Sequence, residues 1–130
     1  MAYYLDTSAL VKLVVAEPET AALRIWLAAP DRDLVSCDLA RTELLRAVRR
    51  AAPDRVTQAR SVLDSITLIE VTAQTFEEAG RLDPTMLRTL GAIHLAAALD
   101  LGDDLDGIVT YDDRLAEAAQ FNAIRVTAPA

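Results

Sequence analysis

Short runs of apolar and β-branched residues alternate with longer helical runs along the whole chain, and this alternation limits the fold more than any other feature. Strands separated by helices pair through crossovers. The pattern therefore implies an α/β domain with a central, mainly parallel sheet covered by helices on both faces. The predicted strands are residues 2–5, 34–36, 67–71, 107–110 and 123–126. The predicted helices are residues 10–15, 21–29, 55–63, 74–82, 92–101 and 114–119, with a further helix from Asp38, its candidate cap, to about Ala51, where Pro53 stops it. In such sheets the working site lies beyond the carboxyl ends of the strands. Asp6 directly follows the first strand, and Asp112 directly follows the strand at 107–110.

Composition removes several classes. The chain has 130 residues, which suits a single domain over 1–130. With 52% hydrophobic and 25% charged residues it has the balance of a soluble globular protein. Aromatics are only 5%, so a platform for stacking unpaired bases is not evident. Cys37 is the single cysteine, which excludes an internal disulfide and a cysteine-rich zinc site. The start MAYYLDTSAL lacks a basic region and is interrupted by Asp6, so it does not read as a signal peptide. No apolar stretch is long enough to span a membrane, and the expected location is cytoplasmic. The net charge of −7 opposes nucleic acid as a partner. Its distribution does not, because Arg41, Arg46, Arg49, Arg50, Arg55 and Arg60 crowd residues 41–60 against only Glu43 and Asp54.

The side chains that can carry chemistry are carboxylates. Asp6, followed by Thr7 and Ser8, can cap the next helix or hold a metal ion, and an isolated Asp-Thr-Ser does not decide between them. Glu43 lies inside its helix with Arg46 and Arg50 on the same face. It can pair with Arg46, or stand at the crevice edge beside arginines that hold a phosphate backbone. Asp112 and Asp113 open a helix, where the helix dipole favours both. Asp112 stands closer to the strand end. Asp103, Asp104 and Asp106 read as a solvated turn. His94, the only histidine, sits in an apolar helix and reads as a satisfied core residue. With no second histidine and no cysteine partner, zinc is not the expected metal. There is no P-loop and no GxGxxG turn. Converging carboxylates suit a hard cation such as Mg2+ or Mn2+. Together with a basic track they are sufficient for phosphodiester hydrolysis.

Four blocks, YLDTSALVKL, TELLRA, LRTLGAIHLAAAL and VTYDDRLAEAA, resemble the PIN-domain family, and most of all the VapC-type toxins of bacterial toxin–antitoxin pairs. The resemblance covers nearly the whole chain, in the family's order. It implies a three-layer α/β/α sandwich and a Mg2+- or Mn2+-dependent endoribonuclease acting on structured RNA of the tRNA or rRNA class. It also implies a VapB-like antitoxin that inserts a segment into the active-site groove, and a homodimer. The family's acidic positions fall on Asp6, Glu43 and Asp112. Arg46, Arg49 and Arg50 are the candidate contacts to the RNA backbone.

The resemblance breaks at one position. A further acidic ligand, in the block usually read as L-D-A-I-H-L-A, falls on Gly91. Its loss removes a charge and a coordinating oxygen, so metal affinity and hydrolysis should fall. Either the chain is a degenerate module that binds antitoxin or RNA without cleaving, or Asp113 or another nearby carboxylate compensates, or Gly91 is a disabling substitution. A phosphatase using Asp6 as nucleophile would ordinarily pair two aspartates as D-x-D, and Ser8 stands at the second position.

Overall fold

The computed structural model describes residues 2–130. Five strands, β1 (Ala2–Leu5), β2 (Asp33–Cys37), β3 (Thr67–Ile69), β4 (Leu105–Val109) and β5 (Val126–Thr127), form one sheet in the order β3-β2-β1-β4-β5. Every neighbouring pair is parallel. The helices are α1 (Thr7–Lys12), α2 (Thr20–Leu27), α3 (Leu39–Ala51), α4 (Val56–Asp64), α5 (Ala73–Arg81), α6 (Thr89–Leu99) and α7 (Asp113–Phe121).

The layers follow from the period-two alternation of strand side chains. Ala2 and Tyr4 of β1 point to one face with Val35, Cys37 and Ile108, where Leu95 of α6 and Leu115 of α7 complete a core. Leu5 points to the other face with Val109, where Leu10 of α1, Leu23 of α2, Leu44 and Val48 of α3 and Leu63 of α4 form a second core. The sheet is thus the middle of three layers. Residues 92–98 of α6 are all buried, as expected of a helix apolar on every side. A side chain at Gly107 would bring its Cβ to 3.0 Å from the Arg125 carbonyl. That carbonyl accepts a hydrogen bond from the Ile108 amide at 2.9 Å, so the bare backbone of Gly107 lets the last crossover close against β4.

The topology fixes where a site can form. From β1 the chain crosses to β2 on one side, and the later strands β4 and β5 lie on the other. A reversal of this kind opens a crevice at the carboxyl ends of the two strands that flank it, here β1 and β4.

Several element ends differ from the sequence expectation. Helix α1 begins at Thr7 rather than residue 10, because the Asp6 side chain accepts from the Ala9 amide and starts the helix at once. Helix α6 begins at Thr89 rather than residue 92, which places Gly91 inside the first turn. Asp38 occupies the position before α3 but makes no capping bond, since its carboxylate takes the Arg41 Nε at 2.9 Å instead. Strand β3 ends at Ile69 rather than residue 71, and β5 holds only Val126–Thr127.

Leu95 is wholly buried between α6 and the sheet, whereas Ile25 is 76% exposed. Leu95→Ala is expected to lower the unfolding free energy by about 2–5 kcal/mol. Ile25→Ala should change it by less than about 0.5 kcal/mol, both measured by urea denaturation.

Candidate active site

Asp6 anchors the crevice. It is only 4% exposed, yet it is surrounded by donors. Its Oδ1 accepts from the Ser8 hydroxyl at 2.6 Å and from the Ala9 amide at 3.2 Å. Its Oδ2 accepts from the Thr110 hydroxyl at 2.7 Å. Thr110 follows β4 directly, so the carboxylate fastens the end of β1 to the end of β4. Ser8 Oγ also accepts the Tyr111 amide at 2.9 Å. Asp6 therefore caps α1 and, with the same carboxylate, walls the crevice. Burial pushes its pKa up, and the hydrogen bonds from Ser8, Thr110 and Ala9 only partly oppose this.

Glu43 reaches the same crevice from α3. The ion pair with Arg46 that its helix position suggested is not formed among the described residues. Glu43 Oε1 instead takes the Thr7 hydroxyl at 2.7 Å and His94 Nε2 at 2.6 Å. Burial alone would raise the pKa of Glu43, but the hydrogen bonds from His94 and Thr7 outweigh it, and the pKa falls. The carboxylate is thus kept ionised and acceptor-only, so Nε2 must carry a proton. On its other side His94 Nδ1 lies 2.7 Å from the Tyr4 hydroxyl and 3.9 Å from Cys37 Sγ. Burial lowers the imidazole pKa, but the Cys37 and Glu43 interactions exceed that effect and raise it to about 9.

His94 was expected to be a satisfied core residue, and it is buried and satisfied. Its partner, however, is a site carboxylate. Cys37 of β2 lies beside its ring, a proximity that the sequence does not reveal. The signal available in the sequence was its place on α6, one turn after Gly91 and so on the same side of the helix.

Asp112 follows β4 by three residues. Its Oδ1 accepts the Arg114 and Leu115 amides at 2.9 and 3.2 Å and caps α7, while its Oδ2 has no protein partner among the described residues. Asp6, Thr7, Ser8, Glu43, Gly91, His94 and Asp112 all line one cavity of about 540 Å³. Arg88, just before α6, lines it too and was not singled out in the sequence. Asp113 is exposed and is not among its lining residues. Arg46, Arg49 and Arg50 lie apart from it and enclose a separate depression of about 260 Å³ on α3. None of the three has an acidic partner among the described residues.

Gly91 faces the cavity with no side chain. A Cβ there would meet Leu87 Cδ1 at 2.9 Å, the far end of a flexible side chain. An aspartate can therefore be accommodated if Leu87 turns aside. The donor set suits a hard divalent cation in its chemistry. Among the described residues, no three His, Cys, Asp or Glu groups are close enough to ligate one ion together. The residues fit an ion held by one or two carboxylates, with water and substrate phosphate in the other positions, which is a common way of holding Mg2+.

A parallel sheet with carboxylates gathered at the β1–β4 reversal defines a class of acidic-site α/β proteins, and sequence comparison makes the assignment specific. The PIN domain family model matches residues 3–120, and the chain belongs to that family, among its VapC ribonucleases. It is 44% identical over 128 residues to ribonuclease VapC46 of Mycobacterium tuberculosis, covering 98% of both chains. It is 43% identical over 116 residues to ribonuclease VapC47 of the same organism, covering 86% of this chain and 85% of the relative. The crystal structure of M. tuberculosis VapC20, a sarcin–ricin-loop-cleaving toxin, has the same fold with a TM-score of 0.74. The match has 18% identity and covers 89% of this chain and 94% of that one. A toxin–antitoxin complex from Klebsiella pneumoniae matches with a TM-score of 0.71 and 17% identity, over 98% of each chain.

The raised pKa of Asp6 has a consequence for the metal-free protein. A carboxyl group whose folded-state pKa exceeds its unfolded one contributes stability that is complete below the unfolded value, and that is lost as pH rises through the folded value. In EDTA at pH 7–8, Asp6→Asn should therefore be more stable than the parent, and the difference should shrink as the pH is lowered toward 4. Urea denaturation across that range measures it.

Proposed function

We propose that the chain is a divalent-metal-dependent endoribonuclease of a toxin–antitoxin pair. The observation that carries this reading is the placement of Asp6, Glu43 and Asp112 on one cavity at the carboxyl ends of β1 and β4. The kinship with VapC ribonucleases points the same way.

In this reading Asp6, Glu43 and Asp112 hold Mg2+ or Mn2+, directly or through water. When bound, the ion supplies a water acidic enough to act as nucleophile near neutral pH and positive charge against the phosphoryl oxygens. The chain's own residues do the rest. Ser8, Thr110 and the Ala9 amide keep Asp6 fixed at the floor. Thr7 and His94 keep Glu43 ionised at the wall. Arg88 holds a phosphate at the cavity, and Arg46, Arg49 and Arg50, apart from it along α3, hold phosphates further along the RNA. A guanidinium fork matches a phosphate better than an ammonium does. The substrate is RNA of the structured tRNA or rRNA kind. The neutralising partner is a VapB-like protein, and a basic segment of it would complement the acidic cavity. The protein works as a homodimer in the cytoplasm.

Gly91 favours a second reading, an RNA- or antitoxin-binding module without cleavage. A comparison of the parent chain with Gly91→Asp, each incubated with structured RNA and Mg2+ or Mn2+, separates the two. The enzyme reading expects metal-dependent cleavage that rises by roughly tenfold or more in Gly91→Asp, the scale on which a metal's surroundings change activity. It also expects that cleavage to disappear in Asp6→Ala and Glu43→Ala. No cleavage by either protein, with RNA binding retained, would support the binding module instead. Replacing Arg46, Arg49 and Arg50 one at a time by Gln should weaken RNA binding. Each arginine that contacts a phosphate should lower the slope of log K against log salt by about 1 when removed, as read by filter binding.

A further inference from the structure

Glu43 has two carboxylate oxygens, and the structure treats them differently. Oε1 is held twice, by Thr7 Oγ1 at 2.7 Å and by His94 Nε2 at 2.6 Å. Oε2 has no protein partner among the described residues. The imidazole that holds Oε1 is itself fixed. It is 4% exposed, its Nδ1 lies 2.7 Å from the Tyr4 hydroxyl, and its ring meets the Tyr4 ring edge-on at 5.8 Å between centroids. Tyr4 belongs to the central strand and is wholly buried. A chain of contacts thus runs from the sheet interior, through His94 on α6, to a carboxylate on α3. Without it, the long Glu43 side chain would be held by the Thr7 hydroxyl alone.

We propose that His94 is a positioning residue for Glu43: its Nε2–H, backed by Tyr4, fixes the carboxylate so that Oε2 alone is presented to the cavity. The inference deepens the proposed function, because it rests on the cavity being the metal-dependent site. It gives Glu43 one ligating oxygen. It also makes α6 contribute to the site through His94, although its residue 91 has no side chain to offer.

Two substitutions separate positioning from mere filling of the core. His94→Gln places an amide N–H near the position of Nε2. His94→Asn retains a polar group near Nδ1, toward Tyr4, but does not reach Glu43. Isothermal titration with Mn2+, in the parent and in the Gly91→Asp background, is expected to show His94→Asn weakened by about 10–100-fold and His94→Gln within about threefold. Tyr4→Phe removes only the backing hydroxyl, and should lower thermal stability and weaken Mn2+ binding, but by less than His94→Asn does. A second readout needs no metal. In 15N-histidine-labelled protein with EDTA, the Nε2–H proton should appear far downfield with slow exchange. It should be lost in Glu43→Ala and kept in Tyr4→Phe. Equal Mn2+ affinity for His94→Asn and His94→Gln, or a ring proton indifferent to Glu43→Ala, would overturn the proposal. If neither background binds Mn2+, the metal-site reading fails, and the ring proton alone decides whether His94 positions Glu43.

Discussion

A carboxylate sealed beneath the end of the central strand is the constraint on which the site depends. An ionised group removed from water is strongly disfavoured unless donors replace the lost hydration. Asp6 finds its donors in two places. Ser8 and the Ala9 amide come from the helix that follows it, and Thr110 comes from a segment 104 residues later. The local donors start α1 without delay. The distant one requires β4 to lie beside β1 in register. Correct sheet formation and assembly of the site are therefore one event, and even with all its donors Asp6 retains a raised pKa. A divalent ion would relieve that residual strain by making the charged form the favoured one.

Most of the architecture was legible because it rests on local patterns. The strand at Ala2–Leu5 was read at its observed ends, and the all-apolar character of residues 92–98 identified α6 as the buried helix. The convergence of Asp6 and Asp112 followed from their positions after parallel strands. Element ends were less legible wherever a side chain decided them. The start of α1 depends on the Asp6 cap, and the lack of a cap at Asp38 depends on Arg41.

The network around Glu43 could not be read at all from neighbouring residues. Arg46 is its neighbour on the helix, yet its partner is His94, 51 residues away. Local charge pairing on an exposed helix is worth only a few tenths of a kcal/mol. A half-buried carboxylate is governed instead by whichever donor shares its environment. The same reasoning explains Cys37, whose neighbour His94 lies on another element. Arg88 escaped notice because nothing in its sequence surroundings marks a residue just outside a helix as part of a cavity wall. Gly91, by contrast, was noticed only through resemblance. Nothing in composition or periodicity marks that position.

The cavity that results gathers carboxylates and has a glycine at residue 91 on its wall. Asp6, Glu43 and Asp112 share a cavity, while the described residues offer no complete cage for an ion. Such a site should bind a cation that keeps much of its water and gains its remaining ligands from a phosphate. The most direct test is anomalous diffraction from crystals of the protein soaked in Mn2+ together with a short RNA. The account predicts an anomalous peak inside the cavity, in contact with at least one of Asp6, Glu43 and Asp112 and with an RNA phosphate. Bound RNA with no peak in the cavity, or a peak confined to other carboxylates, would contradict it.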